Sequence, residues 1–207
     1  GLSDASSETA STTFIVPGSV GDTKLVFTLK NDTGGFNFHF GLFPLSAITV
    51  PTSDKRAFAE QALKASTNVF DDRNTDPGDQ MTVFLPAGQE IGFFILPNDR
   101  ISDFLTNPNE FFPSSRASSP VGGEEVSPVS RSPLFSVSDA NPGGFDQMLS
   151  FDGAGKTVIT FEDLTRDPSS SQGWPSDEDF SDLAITVVSE LGQGNSEGIQ
   201  LPPLPPR

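Results

Sequence analysis

The fold class the sequence predicts is mainly β: an antiparallel β-sandwich, jelly-roll-like, with one short α-helix and long loops. Three observations predict it. Short apolar stretches alternate with a period of two, turn residues recur about every ten residues, and a single stretch has helical spacing. The 207 residues include 19 Gly and 18 Pro, more than a helical protein tolerates. With 34% hydrophobic residues, 19 Phe and no Tyr, Phe is the expected core filler. The length suffices for one sizeable core, expected over residues 13–191.

Residues 1–12 are small and polar and read as a flexible arm. "TFIVPGSV" is a short apolar strand stopped by Pro17-Gly18. In "TKLVFTLKNDTGGFNFHFGLF" two alternating runs flank the turn cluster 31–35, which predicts a hairpin. Leu25, Phe27 and Leu29 share one face; Lys24, Val26, Thr28 and Lys30 share the other. "SDKRAFAEQALKAS" (53–66) is the helix, capped by Ser53 or Asp54, with Phe58, Ala62 and Ala65 on one face and Leu63 beside them. "MTVFLPAGQEIGFFILPND" makes two strands around Pro86-Ala87-Gly88. Residues 102–133, rich in Ser, Pro and Asn, read as a long surface insertion pinned by Phe111 and Phe112. "PLFSVSD", "QMLSFDG", "KTVITFEDL" and "DLAITVVSEL" complete the strands, and 192–207 form an extended Pro-rich tail. No fixed-period repeat is present.

The net charge of −16 argues against nucleic acid and against anionic membranes, and suits cations as partners. No apolar run reaches membrane-spanning length, so no membrane insertion is expected. The absence of Cys, with the acidic composition, fits a protein secreted or displayed on a cell surface. The first residue is Gly, compatible with removal of a leader or with trimming.

Carboxylates concentrate in three places. The first is Glu162, Asp163, Asp177, Asp179 and Asp182, at the end of one strand and the start of the next. If those strands are neighbours, the acids meet at one end of the sandwich and offer calcium the oxygens it needs. A solvated acidic loop is the other reading of the same cluster. The second is Asp139, Asn141 and Asp146, around Gly143-Gly144. It could complete a calcium shell, or be an Asx-Pro turn that needs no metal. The third is Asp72, Asn74, Asp76 and Asp79. Pro77 and Val83 occupy the positions where an EF-hand needs Gly and Glu, which leaves at most a looser calcium loop.

Enzymatic readings find little support. The one His, His39, lies in an alternating Phe strand, where packing is the ordinary role. No nucleophile elbow, phosphate loop or dinucleotide fingerprint is present. The acids lack the apolar seating that holds one carboxyl protonated in a glycosidase. Trp174 could stack on a sugar, or anchor the 165–176 excursion. "LPPLPPR" formally matches an SH3 ligand but reads better as a spacer or docking arm.

"GFNFHFGLF", "RAFAEQALKASTNVF", "LPAGQEIGFFILPND", "PLFSVSDANPGGFDQML" and "ITFEDL…DEDFSDLAITV" follow in order the pattern of a bacterial extracellular domain family of unknown function. The chain resembles that family over roughly 24–188. The most specific piece is Phe161-Glu162-Asp163-Leu164 followed by Asp177-x-Asp179-Phe180-x-Asp182. The family occurs in large calcium-dependent adhesins and secreted proteins with sorting tails, so the resemblance implies calcium and a non-enzymatic extracellular role. Three departures are the intervening 165–176, Gln147 where the family often has His, and a Ser/Pro-rich 102–133 segment longer than the family pattern leads one to expect.

The expected function is a secreted, non-enzymatic, calcium-binding sandwich that builds or decorates a filament, matrix, surface layer or adhesin. The alternative is a calcium-dependent carbohydrate-binding module, with Trp174 and the ion facing a polysaccharide. Self-association is expected, through Phe14, Ile15 and Val16 as a strand lent to a neighbour and through Leu201 and Leu204 as docking side chains. Pairing of Phe14–Val16 within its own sandwich stands as the other possibility.

Overall fold

The computed structural model describes residues 8–9, 13–32, 37–71, 74–97, 99–112, 132–153, 156–162 and 182–190. Two antiparallel sheets face one another. The first has the strand order β1 (Glu8–Thr9), β9 (Met148–Gly153), β10 (Lys156–Phe161), β11 (Leu183–Glu190), β3 (Asp22–Asp32), β6 (Gln80–Pro86). The second runs β2 (Phe14–Ile15), β7 (Glu90–Pro97), β4 (Phe38–Pro44), β5 (Thr67–Asp71), and β8 (Leu134–Phe135) also pairs with β7.

Alternation decides which side chains meet between the sheets. Leu25, Phe27 and Leu29 of β3, and Ile185 and Val187 of β11, enter the central core, as a period of two requires. From the second sheet come Phe38, Phe40 and Leu42 of β4 and Ile91, Phe93 and Ile95 of β7. Twelve Phe are buried among the described residues, which makes Phe the core filler.

The second sheet is buried on its outer face as well. Phe43, Phe94, Leu96 and Phe135 point away from the sandwich into a second core. α1 (Lys55–Lys64) closes that core with Phe58, Ala59, Ala62 and Leu63. Asp54 is the cap: its carboxylate accepts the Ala57 N–H at 3.1 Å. Phe58 meets Phe43 and Phe135 edge-on, with centroids 5.9 and 5.2 Å away. Burial on both faces explains why β7 reads as the continuous apolar run "IGFFIL" instead of alternating.

Several expectations are corrected. The runs around 31–35 form no hairpin, because β3 and β4 belong to different sheets. The turn at 86–88 does lie between two strands, as expected, and it carries the chain from one sheet to the other at the opposite end. A second helix, α2 (Ile101–Thr106), opens the segment read as a long surface insertion, where one helix was expected in the whole chain, and Phe104 buries beneath it. Phe111 is buried 5.1 Å from the Phe104 ring. Ser132 Oγ donates to the Phe111 carbonyl at 2.6 Å, so the chain leaves and returns at one point. In the N-terminal arm, Glu8–Thr9 pairs with Ser150 and Phe151 of β9. Phe14–Ile15 is not spare either: it pairs with Ile91 and Glu90 of the same chain, and Val16 is fully buried. The tail 192–207, with Leu201 and Leu204, lies outside the described residues.

Two glycines in the second sheet admit aromatic rings. Gly41 stands across from Phe94, and Gly92 across from Phe43. A Cβ on Gly92 would lie 2.5 Å from the Phe43 ring; one on Gly41 would lie 2.6 Å from both a Phe94 ring atom and the Thr67 carbonyl oxygen. Gly41 also sits where the β4–β5 register shifts. Both Gly→Ala changes are expected to destabilise by about 1–3 kcal/mol, with Gly41→Ala the worse, because a backbone oxygen cannot rotate aside. Denaturant unfolding of the two variants checks the order.

Candidate functional site

The register of the first sheet collects acids at one end. Phe161 pairs with Leu183, so Glu162 leaves β10 beside the point where Asp182 enters β11. Leu183 in turn pairs with Asp32, the last residue of β3. On the other side, Glu162 N–H donates to the Gln147 carbonyl at 3.0 Å, one residue beyond Asp146 at the entry to β9. Four neighbouring strands, β9, β10, β11 and β3, thus have Asp146, Glu162, Asp182 and Asp32 at this end, each the terminal residue or within two residues of it. At the same end of the second sheet, β5 closes on Asp71.

Glu162 is 1% exposed, as is Gln147, whose Nε2 donates to the Glu162 carbonyl at 3.2 Å. A carboxylate this deeply buried has to be held by donors or by a cation. Asp163, Asp177 and Asp179 of the same predicted cluster lie outside the described residues, as does Trp174. Among the described residues no group of three His, Asp or Glu side chains is close enough to hold a metal ion.

The second predicted cluster divides. Asn141 is fully buried and its amide is spent on the backbone. Its Oδ1 accepts the Phe135 N–H at 2.7 Å, and its Nδ2 donates to the carbonyls of Phe135 at 2.8 Å and Phe145 at 3.0 Å. Its own carbonyl accepts from Lys55 Nζ, a cation already seated against this loop. Asn141 therefore holds its own loop to the end of β8. Asp146 accepts from the Ser138 hydroxyl, and Asp139 is exposed. In the third cluster, Asp79 Oδ2 accepts the Asp76 N–H at 3.0 Å and Asn74 Nδ2 donates to Asp71 at 3.1 Å. These bonds close a turn; Asp72 lies outside the described residues.

His39 also stands at this end, on the outer face of β4 opposite Asp71 and Leu96. It is 8% exposed, its Nε2 is 3.7 Å from Asp71 Oδ1, and among the described residues neither ring nitrogen makes a hydrogen bond. Sequence reasoning missed Lys55 as a positioning residue and singled out Gln147 only as a departure from the family pattern; each acts across a loop. At the opposite end, a depression of about 360 Å³ lies among Phe14, Pro17, Asp152, Lys156 and Val187. Its carboxylate is engaged, since Thr157 Oγ1 donates to Asp152 at 2.5 Å.

The fold and this acidic end define a two-sheet antiparallel sandwich with a helical layer on one sheet. A family model described as "Domain of unknown function (DUF4114)" matches residues 85–190, slightly more than half of the chain, and the chain belongs to that family. No curated protein and no solved structure matches it.

Two outcomes test these roles. Asn141→Ala strands the Phe135 N–H and two carbonyls, and is expected to cost about 3 kcal/mol, equally in calcium and in chelator. His39→Leu removes two buried nitrogens without hydrogen bonds and is expected to leave stability within about 1 kcal/mol of the parent. Denaturant melts read both.

Proposed function

We propose that this is a secreted, non-enzymatic, calcium-binding sandwich that builds or decorates an extracellular structure: a filament, matrix, surface layer or adhesin. Copies of it associate with one another. The observation that carries the reading is the row of strand ends bearing Asp146, Glu162, Asp182 and Asp32. The sequence between Glu162 and Asp182 adds Asp163, Asp177 and Asp179. Calcium takes six to eight oxygens in a forgiving geometry, and acids delivered by several adjacent strand ends supply them. A chain of net charge −16 gains most from a divalent cation at the point where its acids converge. Phe161-Glu162-Asp163-Leu164 with Asp177-x-Asp179-Phe180-x-Asp182 is the signature that supports the calcium-dependent, extracellular context.

An ion bound to the native state alone raises the melting temperature. The gain is about 2.7 kcal/mol at a hundredfold excess over the dissociation constant. Calcium is expected to raise the melting temperature over chelator, magnesium less so, and Glu162→Gln with Asp182→Asn to abolish the difference. A melting temperature unchanged by chelator would falsify the calcium reading.

A further inference from the structure

The outermost strand of the first sheet, β6, pairs with β3 and, among the described residues, with nothing else. Two of its side chains are unusually open: Phe84 is 63% exposed and Met81 42%. The phase of its hydrogen bonding follows from the bonds at either end. Leu29 N–H donates to the Asp79 carbonyl at 3.0 Å, and Ala87 N–H to the Gly21 carbonyl at 2.8 Å. Counting inward by twos, the odd-numbered residues of β6 bond to β3. Gln80, Thr82 and Phe84 therefore turn their N–H and C=O groups outward, as does Pro86, which has no N–H to lose.

Exposed edges are ordinarily blunted by charge, by an early proline or by a bulge. "QMTVFLP" has no charged residue, its proline is last, and its register with β3 is unbroken from Asp22–Pro86 to Thr28–Gln80. In a chain of net charge −16, this edge is spared the repulsion that would keep copies apart.

The edge is also complementary to itself. Turn a second copy antiparallel with Thr82 opposite Thr82. Gln80 then faces Phe84 of the other copy on both sides of the axis, and all three outward N–H groups are paired, in roughly six backbone hydrogen bonds. Other registers leave one of these N–H groups unpaired or bring it against Pro86. In the same register Met81 faces Val83 of the other copy at a close, non-hydrogen-bonded position, which covers the exposed Met.

We propose that β6 is a self-association edge, through which two copies join their six-stranded sheets into one about a two-fold axis at Thr82. This gives a surface to the self-association proposed above and rests on that reading, independently of calcium.

The chain has no Cys, so single cysteines report the geometry cleanly. At high concentration under mild oxidation, Thr82→Cys is expected to cross-link to itself and Lys30→Cys, exposed on β3, is not. Thr82→Pro removes an outward N–H that β3 does not use, so it is expected to keep the parent's circular dichroism while its sedimentation mass falls from dimer to monomer. If Thr82→Pro does not fold, Phe84→Lys at the exposed ring decides by the same readout. A folded variant that associates as the parent does overturns the β6 edge and leaves self-association standing through another surface. A parent that is monomeric up to its solubility limit overturns both.

Discussion

Phe40 touches aromatic rings from four other strands. Its centroid lies 6.3 Å from Phe27 on β3, 6.3 Å from Phe70 on β5, 5.8 Å from Phe93 on β7 and 6.1 Å from Phe161 on β10. Two of these strands belong to each sheet, so this one side chain closes the sandwich. Phe93 and Phe70 lie nearly parallel to it within its own sheet, at 16° and 27°, while Phe161 meets it edge-on at 71° from across the core. Offset stacking along a sheet and edge contact across the gap is how rings fill a slab without voids. With no Tyr in the chain, no ring in this core carries a hydroxyl that needs a partner.

From that centre the two sheets diverge in character. The second is apolar on both faces, so it requires a cover, and α1, α2 and the segment 132–140 provide one. Its close packing is what makes Gly41 and Gly92 necessary. Ser136 joins this layer to the sheet, giving its N–H to the Phe93 carbonyl and taking the Phe93 N–H on its hydroxyl, each at 2.9 Å. The first sheet is covered on its inner face and alternates in the ordinary way. Lys24, cross-strand from Phe84, pairs with Glu190 at 2.9 Å on its outer face.

The family match begins at Leu85 and ends at Glu190. It includes β7 through β11, the strands whose ends bear Glu162 and Asp182. It omits β3, which separates β11 from β6, and β4, which separates β7 from β5. The folded unit is consequently larger than the matched segment, because each sheet draws a central strand from the N-terminal part. The acids divide along a similar line. Asn141 and Asp79 bond backbone groups within a few residues of themselves, whereas Glu162 and Asp182 continue paired strands and owe their nearness to the ladder.

What the sequence by itself determined is local. Period two assigned Leu25, Phe27 and Leu29 to one face of a strand, because side-chain alternation depends on the backbone alone. A cap at Ser53 or Asp54 was legible, since the bond such a residue makes spans three residues, and Asp54 is the one that makes it. That Glu162 and Asp182 share an end was legible only conditionally, on β10 and β11 being neighbours, which they are. The six-residue α2 was not legible, being too short to show a period. Tertiary structure alone decided which strands pair. Asn31–Gly35 between two alternating runs carries every local mark of a hairpin, yet β3 lies between β11 and β6, and β4 between β7 and β5. It also decided that Phe14–Val16 pairs within its own chain, with Val16 N–H on the Gln89 carbonyl at 2.9 Å. The reason is that a strand's hydrogen bonds and buried face are satisfied by residues remote in sequence. The choice among equally alternating partners is therefore not written in any one strand's own pattern.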